Sequence, residues 1–130
     1  MNSVPRLRLV LFSFGFKYGA PVDINQLWDV RFLPNPYWVE ELRPQTGLTP
    51  EVGAYVLESA AGSRFLSLFL PLVECVVVES RAAGKKSLRL AIGCTGGRHR
   101  SVAVVERLAA ALSLPEVELS VFHRDIERDG

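Results

Sequence analysis

The residues best suited to chemistry lie together in one octapeptide, Cys94-Thr95-Gly96-Gly97-Arg98-His99-Arg100-Ser101. A glycine pair flanked by a hydroxyl, an imidazole and two guanidinium groups suits phosphate. Backbone N–H groups reach an anion where no Cβ intervenes, and the cations hold its oxygens. The same residues read C-x-x-G-x-x-R-S, with five positions between Cys94 and Arg100. That is the spacing by which cysteine phosphatases wrap a loop around phosphate, here with Cys94 as nucleophile and Arg100 as clamp. Such an enzyme also needs a general acid, for which Asp29 and Asp125 are the candidates. It usually has His before the nucleophile, where this chain has Gly93.

Nucleoside triphosphate hydrolysis finds less support. Ala83-Gly84-Lys85-Lys86 resembles the end of a Walker A loop, but Glu79 stands where the first glycine belongs and Lys86 replaces the hydroxyl. No G-x-G-x-x-G follows a strand, so no dinucleotide cofactor is expected. Cys75 and Cys94 fit no zinc-ligand pattern, and no metal is expected either.

A phosphate loop works when a strand delivers it and a helix receives it, because the helix amino terminus adds free N–H groups and a positive dipole end. Leu88–Gly93 reads as that strand. The helix runs from about Arg98 to Leu112, with Val102, Val105, Ala109 and Leu112 on one face. Three more strands are expected: Leu7–Ser13, Leu27–Phe32 (closed by Leu33-Pro34-Asn35-Pro36) and Val117–Phe122. Thr49-Pro50-Glu51 opens a helix with a cap, a first-turn proline and an early acid. Phe65–Arg81 contains the strand-prone run Cys75-Val76-Val77-Val78, but its length predicts a helix kinked at Pro71.

Strands alternating with helices predict an α/β domain with a mostly parallel sheet of about four strands and flanking helices. Such sheets bind ligands outside the carboxyl ends of their strands. Those ends carry Ser13-Phe14-Gly15-Phe16-Lys17, Asp29-Val30-Arg31, the Cys94–Ser101 loop and His123-Arg124-Asp125, each with glycine or charge. Asp29 and Arg31, two apart on a strand, share one face.

With 130 residues, 48% of them hydrophobic, the chain suffices for one domain, residues 1–130, with an ordinary core. A net charge of +1 argues against a globally basic nucleic-acid binder and against an acidic disordered tail. Charge is nevertheless divided locally. Residues 80–105 hold six cations, Arg81, Lys85, Lys86, Arg89, Arg98 and Arg100, and no acid. Such a run suits RNA phosphate as well as a small anion. Two cysteines without a metal-ligand pattern suggest a reducing, cytoplasmic setting. The stretch Val4–Phe12 places basic residues before an apolar run too short for an export signal. Phe65–Val78, interrupted by Pro71 and Glu74, falls short of the roughly 20 residues that cross a bilayer. Neither export nor a membrane span is expected.

Five segments, in order, carry a more specific likeness: Phe14–Gly19, Asp29–Pro36, Leu42-Arg43-Pro44 with Thr46-Gly47-Leu48, Ile92–Ser101 and His123-Arg124-Asp125. Together they resemble the C-terminal domain of the RapZ RNase-adapter family over about residues 10–127. In that family the domain follows a P-loop kinase-like domain, binds small RNA, senses glucosamine-6-phosphate, controls amino-sugar synthesis by recruiting a ribonuclease, and assembles into oligomers.

The resemblance implies a fold similar to the sugar-phosphate half of phosphofructokinase and a non-catalytic binding domain that senses a phosphosugar. The implied ligand residues are Cys94, Thr95, Gly96, Gly97, His99, Arg100, Asp29, Arg31 and Tyr37. Lys17, Arg43, Arg81, Lys85, Lys86, Arg89, Arg98, His123 and Arg124 are further candidates for ligand or RNA contact. The implied partners are a small RNA or ribonuclease, a separate P-loop protein and further copies of the chain. Two departures bear on this. Tyr37 stands where some members have His, and the chain ends Glu127-Arg128-Asp129-Gly130 where RNA-binding members have a basic tail.

Overall fold

Strand β1, Leu7–Gly15, is almost wholly buried, which explains its unbroken apolar run: it lies inside the sheet between two neighbours. The computed structural model describes residues 6–128. Val4 and Pro5 of the amino-terminal stretch and Asp129 and Gly130 of the mixed-charge tail lie outside them. β2 (Gln26–Asp29), β3 (Ser87–Cys94) and β4 (Val117–His123) complete a four-stranded sheet of order β2-β3-β1-β4. Every pairing is parallel, so the mostly parallel sheet expected is parallel throughout. The register sets Gly15 beside Cys94, Asp29 beside Gly93 and Ser13 beside His123. All four carboxyl ends therefore share one edge of the molecule.

Three helices, α1 (Pro50–Leu57), α2 (Ala60–Ala82) and α3 (Arg100–Ala111), pack on one face of the sheet. The core there joins Leu7, Leu9 and Leu11 of β1 and Leu88, Leu90 and Ile92 of β3 to Val52, Phe69, Val73 and Leu108 of the helices. Burying each such side chain contributes roughly 1.5 to 3 kcal/mol. The opposite face carries Val10, Phe12, Phe14 and Ala91, covered by Phe16 and Ile24 of the connection after β1. Phe122 stacks on Phe12 there, with ring centroids 4.6 Å apart.

Three expectations shift in detail. β2 ends at Asp29 rather than Phe32, because the Asp29 carboxylate accepts the Arg31 N–H at 2.9 Å and the Leu33 N–H turns back to the Val30 carbonyl. This local bonding takes the chain out of the ladder. α3 begins at Arg100, leaving Arg98 and His99 in the loop. α2 starts five residues before Phe65, capped by the Ser59 hydroxyl on the Gly62 N–H at 3.0 Å, and it continues through Pro71. The valine run is helical because Val73 and Val77 project into the core. At 23 residues, with an 18-residue stretch of mean hydropathy 1.7, α2 is long and apolar enough to cross a membrane by length and composition, contrary to the shorter segment expected. One face of it is nevertheless committed to the core through Gly62, Phe69, Val73 and Val77.

Candidate functional site

At the shared edge, β3 delivers Cys94 to the loop and α3 carries the chain away, as the octapeptide suggests. Gly97 adopts φ +76°, and a Cβ on it would lie 2.6 Å from the Gly15 nitrogen. Glycine is therefore demanded here by the backbone and by the end of β1. Gly47 is equally constrained from the other side: its N–H donates to the Arg98 carbonyl at 2.8 Å, and a Cβ there would meet the His99 carbonyl oxygen at 2.4 Å. Two segments thus grip the loop and fix its course. A Cβ on Gly96 would meet open space.

Beside the loop lies a cavity of about 660 Å³, walled by Lys17, Asn35, Tyr37, Trp38, Arg43, Cys94, Thr95, Gly96, Arg98, His99 and Arg100. Four of these side chains are cationic and none is acidic. The first turn of α3 opens toward the same region without an acid or a side-chain cap, so its dipole is not neutralised by the chain. Arg100, only 6% exposed, donates from Nη1 to the Arg31 and Leu33 carbonyls at 2.7 and 3.4 Å and from Nη2 to Thr95 Oγ1 at 3.4 Å. Arg98 Nε is buried and has no hydrogen-bond partner among the described residues. A buried donor without a partner costs roughly 1 to 3 kcal/mol unless something accepts from it.

His99 Nε2 donates to the Arg43 carbonyl at 3.1 Å. Burial holds its pKa below the ordinary value, and Arg98 and Arg100 add to the effect against the pull of two backbone carbonyls. Arg43 in turn donates to the Tyr37 carbonyl at 2.7 Å and stacks its guanidinium 4.9 Å from the Tyr37 ring. Tyr37 and Trp38 belong to a short 3-10 turn, Pro36–Trp38, capped by the Asn35 side chain. Trp38 is 74% exposed.

Cys94 is buried at the foot of the loop, with Ser101 Oγ 3.1 Å from its sulfur and the Ser101 N–H donating to it at 3.4 Å. Neither candidate acid lines the cavity. Asp29 is locked to Arg31 by side-chain bonds of 2.8 to 3.2 Å, and these bonds hold its carboxyl below the usual range. Burial pushes the Asp125 carboxyl up, but bonds from Arg124 and the Gly15 N–H, with Arg128 nearby, outweigh it and leave the pKa lowered. Both acids are committed as carboxylates.

Of the residues singled out from sequence, the fold gathers Cys94, Thr95, Gly96, His99, Arg100, Tyr37, Lys17, Arg43 and Arg98 around one space. Gly97 lies behind the loop, and Asp29 and Arg31 pair with each other at the neighbouring strand end. His123 links Ser13 Oγ at 2.7 Å to Glu106 at 2.8 Å. Ser13 is fully buried, so this chain of bonds clamps β4 to α3 and offers no nucleophile to solvent. Arg124 spends its donors on Asp125 and the Gly19 carbonyl. Lys85, Lys86 and Arg89 line a different depression at the opposite end of β3, and Arg81 lies in the last turn of α2. The six-cation run is therefore divided by the length of a strand. Asn35 and Trp38 were not singled out from sequence. Their signal is a turn-capping Asn between two prolines followed by paired aromatic residues in a loop.

The RapZ C-terminal domain model matches residues 7–127. A protein of Streptomyces coelicolor named as a nucleotide-binding protein is 50% identical over 125 residues, 96% of this chain and 42% of that protein. Similarly named proteins of Mycobacteroides abscessus and Frankia alni are 49% and 48% identical, over 98% and 95% of this chain and 43% of each of theirs. The chain thus spans about two fifths of the length of these curated relatives.

Proposed function

The chain belongs to the RapZ C-terminal domain family, and from that membership we propose that it is a regulatory binding domain whose cavity takes a phosphate-bearing metabolite, a phosphosugar such as glucosamine-6-phosphate, and whose occupancy a partner reads. The observation that carries this reading is the unspent Arg98 Nε in the wall of a cavity lined by four cations and no acid. A phosphate set against the first turn of α3 gives that donor an acceptor and meets Arg100 and Lys17 or Arg43. The Tyr37 and Trp38 rings offer an apolar wall to the sugar. The relatives' names add nucleotides to the anions worth testing.

The test is a melting series with inorganic phosphate, glucosamine-6-phosphate, other phosphosugars and nucleotides. At a hundred times its dissociation constant a ligand adds about 2.7 kcal/mol, a rise of several degrees in Tm. The phosphosugar is expected to give the largest rise, and Arg43→Ala, at an exposed position, to reduce it. If no anion moves the midpoint, the reading fails.

A second reading, a cysteine phosphatase, rests on the five-residue spacing from Cys94 to Arg100 and on the Ser101 N–H that donates to the Cys94 sulfur at 3.4 Å. It lacks a carboxylic acid in the cavity wall to protonate a leaving group. Turnover of an aryl phosphate that disappears in Cys94→Ser would favour it over the binding domain.

A further inference from the structure

The residues that follow β4 reach across the carboxyl end of β1 and hold the turn that begins there. Asp125 is fully buried, so its carboxylate oxygens must be met by donors of the chain. They are met by the Gly15 N–H at 2.7 Å, by the Arg124 guanidinium at 2.9 to 3.1 Å and by Arg128 Nε at 2.9 Å. Arg124 Nη2 also donates to the Gly19 carbonyl at 2.6 Å. Gly15 and Gly19 bracket the 3-10 turn Phe16–Tyr18, whose middle residue is Lys17. A three-residue turn without a side-chain cap has little stability of its own. Both of its ends are instead held by one ion pair, Arg124 with Asp125, which lies outside the cavity that Lys17 lines.

We propose that Arg124 and Asp125 are positioning residues of the anion cavity: they fix the Gly15–Gly19 turn so that the Lys17 ammonium meets a bound phosphate. The inference rests on the phosphate reading of the cavity. Neither residue lines that cavity, so each acts without touching the ligand. Lys17 is exposed and makes no ion pair among the described residues. Its flexible stem is useful to an anion only when the backbone beneath it is held in place. The other cations have separate supports: the Arg98 carbonyl is bound by the Gly47 N–H, and Arg100 by the Arg31 and Leu33 carbonyls. Lys17 is therefore the cation most dependent on the clamp. The charge of Asp125 separates this role from electrostatics alone. Removing an acid near a cationic cavity strengthens anion binding if only charge matters, and weakens it if the acid positions Lys17.

The test is titration of the full chain with inorganic phosphate, the group that all the candidate ligands share, followed by NMR. Lys17→Ala and Asp125→Asn are each expected to weaken binding about tenfold, since each removes the same charge-assisted contact. Together they are expected to cost no more than about twofold beyond Lys17→Ala alone, because the side chain that Asp125 would position is then absent. Should Asp125→Asn fail to fold, Arg124→Lys decides. It keeps the charge but gives up the fork that reaches both Asp125 and the Gly19 carbonyl, and about threefold weaker binding is expected. The proposal is overturned if Asp125→Asn binds phosphate as tightly as the unmodified chain or more tightly, or if the losses from Lys17→Ala and Asp125→Asn multiply in full. An unchanged affinity in Arg124→Lys overturns it likewise. Those outcomes leave phosphate binding by the cavity intact, whereas an unmodified chain that binds no phosphate removes that reading and this one with it.

Discussion

Cations gather at both ends of β3, roughly 25 Å apart by strand rise, yet the two clusters are built differently. At the carboxyl end, Lys17, Arg43, Arg98 and Arg100 line one cavity without an acid, Arg100 is buried, and Arg98 keeps an unpartnered donor. At the amino end, Lys85 and Lys86 are exposed and Asp23 shares their depression. Arg89 there donates from Nε to the Asp23 carbonyl at 2.9 Å. Charge count alone does not separate the two. What separates them is that the carboxyl-end cavity has no acid in its wall, a buried guanidinium in Arg100 and one unpartnered buried donor in Arg98, since a desolvated donor without a partner gains from a ligand more than it loses from water.

The difference extends to the backbone, and there the largest effect is expected. Gly97 and Gly84 both have positive φ, +76° and +90°, but only Gly97 is packed against backbone. Gly84→Ala costs about 1 kcal/mol from conformation alone, whereas Gly97→Ala adds a clash with Gly15 and costs about 3 kcal/mol or more, read by urea denaturation. Equal costs would mean that the cavity loop is no more fixed than the amino-end turn.

Next is binding. A charge-assisted hydrogen bond contributes roughly 1.5 to 3 kcal/mol. Arg100→Ala should therefore weaken phosphosugar binding about ten- to a hundred-fold by calorimetry. Neutralising Lys85, Lys86 and Arg89 together should change it less than about twofold. A larger loss from the triple variant would move the site to the wrong end of the sheet.

The smallest effect is on pH. Because the folded His99 resists protonation relative to its ordinary pKa of 6.5, the unfolded chain binds that proton first. The fold carries no penalty from this group above about pH 6.5 and loses stability as pH falls below it. His99→Gln should flatten that part of the profile. Phosphate should lessen the loss, since an anion in the cavity offsets the repulsion from Arg98 and Arg100. A profile between about pH 7.5 and 5.5 that is identical in His99→Gln would remove His99 from the cavity's electrostatics.

The fold was legible where one local signal dominated. β1, β3, β4 and the face of α3 follow directly from apolar runs and a 3.6-residue period, and the Thr49 cap marks α1. β2 was overextended because Val30 looks like strand and is buried like strand, while the bond from Arg31 to the Asp29 carboxylate ends the ladder first. α2 was read short because Ser59, its cap, precedes a stretch of small and polar residues with little periodicity. At the site, the octapeptide was readable because its chemistry is contiguous. Asn35 and Trp38 arrive on an irregular loop with no period to place them. The six-cation run reads as one patch when charge is counted along the sequence, although the strand expected at Leu88–Gly93 already sets Arg89 and Arg98 toward its opposite ends.

The two tryptophans of this chain are placed as a reference and a sensor. Trp28, half-buried, packs edge-on against Phe69 at the margin of the core, 4.9 Å between ring centroids, whereas Trp38 stands at the mouth of the cavity, largely in water. Intrinsic fluorescence therefore divides into a blue, shielded component that reports integrity of the fold and a red, quencher-accessible one that reports filling of the cavity. With no label attached, a ligand seated in the cavity is expected to change the Trp38 emission and leave that of Trp28 in place.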